Sequence, residues 1–393
     1  MKNFTFYSPT EVIFGKDAEL QAADEIKKHG GTRVFVVYGG NSVVKNGLLE
    51  RVEKTLEEGG LPFLSVGGVV PNPRLSFARD GVRKAKEFGA DFILGIGGGS
   101  VIDTAKAIAH GAANPDTDLW LFWTKQSVVT KSSPVGAILT ISAAGSETSD
   151  SAVLTNGETG EKRGLNTPFN RPKFAIMNPE LTYTLPPFQL SCGIVDIMMH
   201  TMDRYFTLTE GNELTDEIAE ALLRVVIKNG TAAKENPRDY GAMSELMWCG
   251  SLSHNGLTGL GAVIDFAPHQ LGHELSGKFD VAHGASLSAI WGSWARYCYR
   301  TKPERFVRFA EKVWGIHGNS AGKSANAAID RTVAFFASLQ MPTCFTELGI
   351  GVQSDEVLGQ LADSCVFFGK RKVGGFRLLD RDDVFQIYKM ANR

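Results

Sequence analysis

The 393-residue sequence predicts a chain in two parts, an α/β half over residues 1–185 built on a mostly parallel sheet and an all-α half over residues 186–393. Two observations carry this expectation. In the first part, short apolar β-branched runs alternate with glycine-rich turns and segments of helical period, the pattern of strands covered by helices on both faces. After Asn178-Pro179-Glu180 and Leu185-Pro186-Pro187 such runs stop and helical periodicity takes over, with the prolines marking the boundary.

Taken in order, Met1 to Gly15 alternates Phe4 and Phe6 with Thr5 and Tyr7 and reads as a strand; it lacks the apolar run and cleavage site of a signal peptide. Val34 to Tyr38 is a buried strand, followed by the turn Gly39-Gly40-Asn41-Ser42 and a helix carrying Leu48, Leu49, Val52 and Leu56. Phe63 to Val66 leads through Pro71-Asn72-Pro73 to a helix with Val82, Ala85 and Phe88. Phe92 to Ile96 precedes Gly97-Gly98-Gly99-Ser100 and a helix with Val101, Ala105 and Ile108. Val135 to Ile141 and Phe174 to Met177 add two strands, and Cys192 to Tyr205 opens the helical half.

Forty-one Lys+Arg against 43 Asp+Glu leave a formal charge of -2, which argues against nucleic acid or an anionic membrane as the main partner. No apolar run reaches the ~18 residues of a membrane span. Five cysteines without a CxxC pair fit reduced thiols in the cytoplasm. The 43 glycines and the grouping among eight histidines are the features that carry chemistry.

A glycine turn between a strand and a helix lets an anion reach unpaired N–H groups at the positive end of the helix dipole. Gly97, Gly98, Gly99 and Ser100 have that placement, with Asp103 one turn on to hold a ribose hydroxyl or to favour the helix N-terminus. At the turn after Tyr38 no acid follows until Glu50, whereas a cofactor with a free ribose 2′-hydroxyl is usually met there by a carboxylate. Asn41, Ser42 and Lys45 leave room for a 2′-phosphate, so NADP(H) is the expected cofactor.

Asp196 and His200 stand at i and i+4, on one face of a helix; His269 and His273 repeat the spacing, and His283 follows. Imidazoles with one carboxylate suit Fe2+ or Zn2+. His29, His110, His254 and His317 have no comparable partner and read as ordinary surface or core residues.

Asp196-x-x-x-His200, His269-x-x-Gly272-His273-Glu274 and His283, behind Gly97-Gly98-Gly99-Ser100-x-x-Asp103, resemble the iron-containing (group III) alcohol dehydrogenases. Within them the chain is most similar to the NADPH-dependent butanol dehydrogenase or aldehyde reductase branch. The resemblance implies a dehydroquinate synthase-like fold: an α/β dinucleotide-binding domain with a mostly parallel sheet, then an all-α metal-binding and substrate domain. It implies Asp196, His200, His269 and His283 as metal ligands and His273 as a non-ligand proton donor. It places the cofactor on Gly39, Gly40, Ser42, Asn72, Gly97, Gly98, Gly99, Ser100, Asp103, Thr140, Ser142 and Lys162. The expected activity is metal-dependent interconversion of small aldehydes and primary alcohols with NADP(H), in a cytoplasmic homodimer. A polyol dehydrogenase or a cyclase on the same scaffold, a metal-dependent hydrolase and a non-catalytic nucleotide or metal sensor are the alternatives. Leu252, Leu257, Leu260, Val263 and Phe266 favour an apolar substrate over the charged one of a cyclase.

Overall fold

A computed structural model gives the structure of the protein and describes residues 1–318 and 320–393. The chain separates into two compact units, Tyr7–Leu185 and Pro186–Arg393, with Met1–Phe6 belonging to the second.

The first unit holds a six-stranded sheet made from β1 (Glu11–Phe14), β2 (Val34–Tyr38), β3 (Phe63–Val66), β4 (Phe92–Gly97), β5 (Val135–Leu139) and β8 (Phe174–Met177). Its order is β1-β8-β5-β4-β2-β3 and every neighbouring pair is parallel. Helices α1 (Ala22–Lys28), α2 (Ser42–Lys45), α3 (Leu48–Glu58), α4 (Leu75–Phe88), α5 (Gly99–Ala113) and α6 (Leu119–Trp123) connect the strands. Side chains alternate across a strand, and both faces of β2 are used: Val34 and Val36 pack with Ile26, Val52 and Leu56 from α1 and α3. Phe35 and Val37 pack with Ala85, Ala105 and Ile108 from α4 and α5 on the other side. Two-sided burial is why these strands read as continuous apolar runs. From β2 the chain moves outward to β3 and then returns to β4 on the opposite side of β2. The order therefore reverses between β2 and β4, and the Gly39 and Gly97 turns lie at the carboxyl ends of those strands, where ligands of open α/β sheets bind.

Three expectations need correction. β5 ends at Leu139, so Thr140 and Ile141 lie beyond it, with the Thr140 N–H donating to the Gly97 carbonyl (3.1 Å). An antiparallel hairpin, β6 (Ser151–Asn156) with β7 (Glu161–Asn166), was not foreseen, because Glu161-Lys162-Arg163-Gly164 is polar. Its inward Ala152, Leu154 and Leu165 pack beneath Leu75, Ala107 and Trp123. The opening strand spans only Glu11–Phe14. Met1–Phe6 join the helical unit, where the Lys2 N–H donates to the Gly261 carbonyl at 2.8 Å.

The helical unit comprises α7 (Pro187–Tyr205), α8 (Glu213–Glu235), α9 (Tyr240–His254), α10 (Ala267–Phe279), α11 (His283–Cys298), α12 (Pro303–Trp314), α13 (Ala321–Ser338), α14 (Asp355–Cys365) and α15 (Arg381–Ala391). Every residue of α7 from Leu190 to Tyr205 is buried, so it runs through the centre of the unit. At its end Phe206 stacks on Phe306 (4.4 Å between centroids) beside Trp294 and Phe376. Arg305 on α12 makes a bidentate pair with Asp216 on α8 (2.5 and 2.6 Å). Among the described residues no helix is long and apolar enough to cross a membrane.

His110 on α5 is buried, its ring nitrogens 2.8 Å from Ser132 Oγ and Asn170 Oδ1. Burial holds its pKa down to about 4, against a partial counter-effect of Asn170. The folded chain therefore keeps the ring neutral, and stability present above pH ~6.5 is lost as pH falls toward 4. Urea unfolding should show His110 costing the wild type about 2 kcal/mol between pH 7 and pH 5, a loss that His110→Gln removes. An equal pH slope in the two proteins would contradict this.

Candidate metal centre and cofactor cradle

Asp196 and His200 project one turn apart from the buried middle of α7. His269 lies in the first turn of α10, reached through Phe266, whose backbone takes a left-handed conformation (φ 58°). His283 is the first residue of α11. Folding brings all four together: Asp196 Oδ1 lies 3.0 Å from His200 Nδ1, 3.7 Å from His269 Nε2 and 3.7 Å from His283 Nε2. Ligand atoms of Asp196, His200 and His269 fall within 4.8 Å of one another, and all three residues are buried.

The hydrogen bonds orient the rings. His200 Nδ1 sits 2.9 Å from the Asp196 carbonyl, so it carries the proton and Nε2 keeps its lone pair. His269 Nδ1 sits 2.6 Å from Asp203 Oδ2, which leaves Nε2 as the lone-pair nitrogen facing Asp196. Asp196 Oδ1 and His269 Nε2 are both buried without a hydrogen-bond partner. Out of water, a carboxylate facing this nitrogen needs a positive charge, which a proton on His269 or a bound cation supplies. The electrostatics agree. Burial opposes ionisation of Asp196, yet His200 and His283 hold its carboxyl well below the usual range. Burial also opposes a charge on His269, and the Asp203 and Asp196 carboxylates outweigh it and raise its pKa. Burial lowers that of His200, favouring the neutral, ligand-competent imidazole. A carboxylate with imidazoles is a donor set for Zn2+ or Fe2+ and a poor one for Ca2+ or Mg2+.

His273, one turn beyond His269, stands at the rim with its ring 5.3 Å from that of His283 and 6.4 Å from that of His269. Asp203 and His254 escaped the sequence reading. Asp203 is the carboxylate behind His269, and its i+7 spacing from Asp196 was the available signal. His254 lays its ring 4.0 Å from that of His200. The other described grouping of this kind, Glu11, Glu25 and His29, is half exposed, and Lys28 already supplies its positive charge.

In the α/β unit, α5 begins after Gly98, which has no side chain to cap the first N–H groups of the helix. A Cβ at Gly97 would lie 2.5 Å from Val101 Cγ2 and one at Gly98 2.3 Å from Ile141 Cγ2, so packing alone already demands glycine there. Gly99 and Ser100 form the first turn, and Gly39, Gly40 and Ser42 form the turn after β2, with Asn41, Ser42 and Lys45 exposed. Buried Lys162 on β7 donates to Asn72 Oδ1 at 2.9 Å, and Asn72 holds a left-handed backbone (φ 55°). Ser142 Oγ is buried without a partner, so the cradle retains an unused polar group to offer a ligand. Asp103 does more than either sequence option foresaw: Oδ1 accepts from Ser146 Oγ (2.5 Å) and Oδ2 from the Val153 N–H (2.9 Å). Fully buried Lys106 donates to Ser146 Oγ (2.9 Å) and the Ser151 carbonyl (2.7 Å), and burial lowers its pKa to about 8. Together Asp103 and Lys106 fasten the loop that carries Ser142. The visible signal for Lys106 is a lysine set between apolar neighbours, Ala105, Ala107 and Ile108, one turn from Asp103.

Residues 9–179 match the family model for iron-containing alcohol dehydrogenase, and residues 191–392 match that for the C-terminal part of the Fe-containing alcohol dehydrogenase family. The chain belongs to the iron-containing alcohol dehydrogenase family and is an oxidoreductase of the alcohol dehydrogenase type. It is 39% identical to the NADH-dependent butanol dehydrogenase A of Clostridium acetobutylicum over 100% of both chains. Against the NADPH-dependent aldehyde reductase YqhD of Escherichia coli it is 35% identical over 89% of this chain and 90% of that one. The crystal structure of an NADH-dependent butanol dehydrogenase A from Thermotoga maritima superposes with a TM-score of 0.95 at 33% identity, covering 100% of this chain and 99% of that one.

A metal-ligating histidine whose second nitrogen is held by a carboxylate typically loses 10–100-fold in metal affinity when that support goes. Asp203→Asn should therefore weaken Zn2+ binding by about that factor in a chelator competition. Wild-type affinity in the variant would show that the carboxylate does not tune His269.

Proposed function

We propose that the chain interconverts small aldehydes and primary alcohols with NADP(H), using divalent iron or zinc held by Asp196, His200, His269 and His283. The observation that carries this is the convergence on buried Asp196 Oδ1 of ring nitrogens from His200, His269 and His283, 3.0, 3.7 and 3.7 Å away, in a chain of this family. Bound there, a divalent cation supplies Lewis-acid polarisation of a carbonyl oxygen, and a bound nicotinamide supplies or accepts the hydride.

The chain's own residues do the rest. The Asp196 main-chain carbonyl and the Asp203 carboxylate hold the Nδ1 edges of His200 and His269 in place. His273, at the rim and not among the clustered ligands, exchanges the proton with the substrate oxygen; imidazoles as a class do so near neutral pH. Phe266, its ring 5.2 Å from His269, gives the substrate an apolar neighbour. On the cofactor side the first turn of α5 receives the pyrophosphate, and Gly39, Gly40, Ser42, Asn72, Asp103, Thr140, Ser142 and Lys162 complete the cradle. The preference for NADP(H) rests on the turn after β2, which has no carboxylate and exposes Asn41, Ser42 and Lys45. The relatives' names include both cofactors. Five buried cysteines, none of them in a disulfide, support a reducing, cytoplasmic setting. The same reading has the chain working as a homodimer on small molecules, without nucleic acid or membrane.

Protein loaded with Fe2+ or Zn2+ should oxidise NADPH with butyraldehyde and related aldehydes, and failure across the panel sinks the proposal. His273→Ala should keep its metal while turnover falls by about 10²–10⁴-fold; Asp196→Ala and His269→Ala should lose the metal. Metal loss from the His273 variant would overturn the division of roles. A higher kcat/KM with NADH than with NADPH would refute the cofactor preference.

A further inference from the structure

His254 closes α9, and its half-buried ring lies 4.0 Å from that of His200 with the planes 30° apart. On another side His200 meets the ring of His269 at 4.2 Å and 56°. His200 Nδ1 lies 2.9 Å from the Asp196 carbonyl and 3.0 Å from Asp196 Oδ1, which ties down one edge of the ring. Contacts with two neighbouring rings restrict the plane of the imidazole.

The end of α9 is built to hold His254 in place. The Asn255 N–H donates to the Ser251 carbonyl at 3.0 Å, and Asn255 Oδ1 accepts the Leu257 N–H at 3.0 Å. Ser253 Oγ donates to the Gly250 carbonyl at 2.7 Å, and Thr258 Oγ1 reaches back to the Ser253 carbonyl at 3.3 Å. Residues on both sides of His254 are thus tied down by local bonds, which fixes the backbone from which its ring projects.

The geometry points to His254 as a positioning residue for the metal centre: its ring face packs on the His200 imidazole and holds that ring in its orientation beside Asp196. This rests on the metal reading proposed above. An aromatic face can be replaced by another aromatic face, whereas a ligating or proton-carrying nitrogen cannot.

Metal-free wild type, His254→Leu and His254→Phe are titrated with Co2+ against a competing chelator while the visible absorption is recorded, with thermal unfolding of the metal-free proteins as the folding control. His254→Leu should bind Co2+ roughly tenfold more weakly and with a changed visible spectrum. His254→Phe should recover both. Equal losses in the two variants would mean that a nitrogen is used and would overturn the inference, as would wild-type binding and spectrum in both. If His254→Leu does not fold, His254→Gln, which also lacks the aromatic face, takes its place. Wild type that binds no Co2+ would refute the metal reading itself, an outcome distinct from any failure confined to His254.

Discussion

A carboxylate buried in the middle of a buried helix governs the helical unit. Asp196 is 4% exposed on α7, and the ring nitrogens around its Oδ1 belong to His200, His269 and His283. Such a charge is tolerable only when compensated, by a proton on a facing imidazole or by a bound cation. Much of the surrounding backbone follows from this need. Phe266 accepts a left-handed conformation so that α10 can start where His269 faces Asp196. Gly284 lets α11 lie on α7: a Cβ there would sit 2.4 Å from the Cys192 carbonyl oxygen, so only glycine brings His283 this close. Strain and close approach at these two places are the local cost of gathering three histidines from three helices.

The α/β unit solves a different problem with equal economy. A two-sided apolar sheet supplies rigidity, and the reversal of strand order between β2 and β4 opens the place where two glycine turns meet. What turns that opening into a shaped cradle is the polar pair Asp103 and Lys106, which anchor Ser146 and the main chain at Ser151 and Val153. The glycines of the second turn are demanded by Val101 and Ile141 as much as by any ligand, so a glycine cluster alone is weaker evidence for phosphate than it looks.

How much of this the sequence discloses depends on whether the signal is periodic. β2, β4 and β8 are legible because burial on both faces makes them continuous apolar runs, and Asp196 with His200 because one helix carries both. The β6–β7 hairpin is not legible, since Glu161-Lys162-Arg163-Gly164 has neither alternation nor an apolar run and is held by pairing with β6. Met1–Phe6 look like part of a strand but find their partner at Gly261, far along the chain. Asp203 and His254 fail for the same reason, because what makes each of them matter is a ring contributed elsewhere in the fold, His269 in one case and His200 in the other. Family resemblance supplies the ligand set, and the hydrogen bonds behind the ligands come only from the folded chain.

The central claim is that the Asp196 cluster holds one catalytic divalent cation. Its most direct test is to strip the protein with a chelator and follow NADPH-dependent aldehyde reduction as Fe2+ or Zn2+ is added back in known amounts. The account predicts no turnover in the stripped protein and a linear rise that breaks at one metal per chain. Full activity in verified metal-free protein would contradict it.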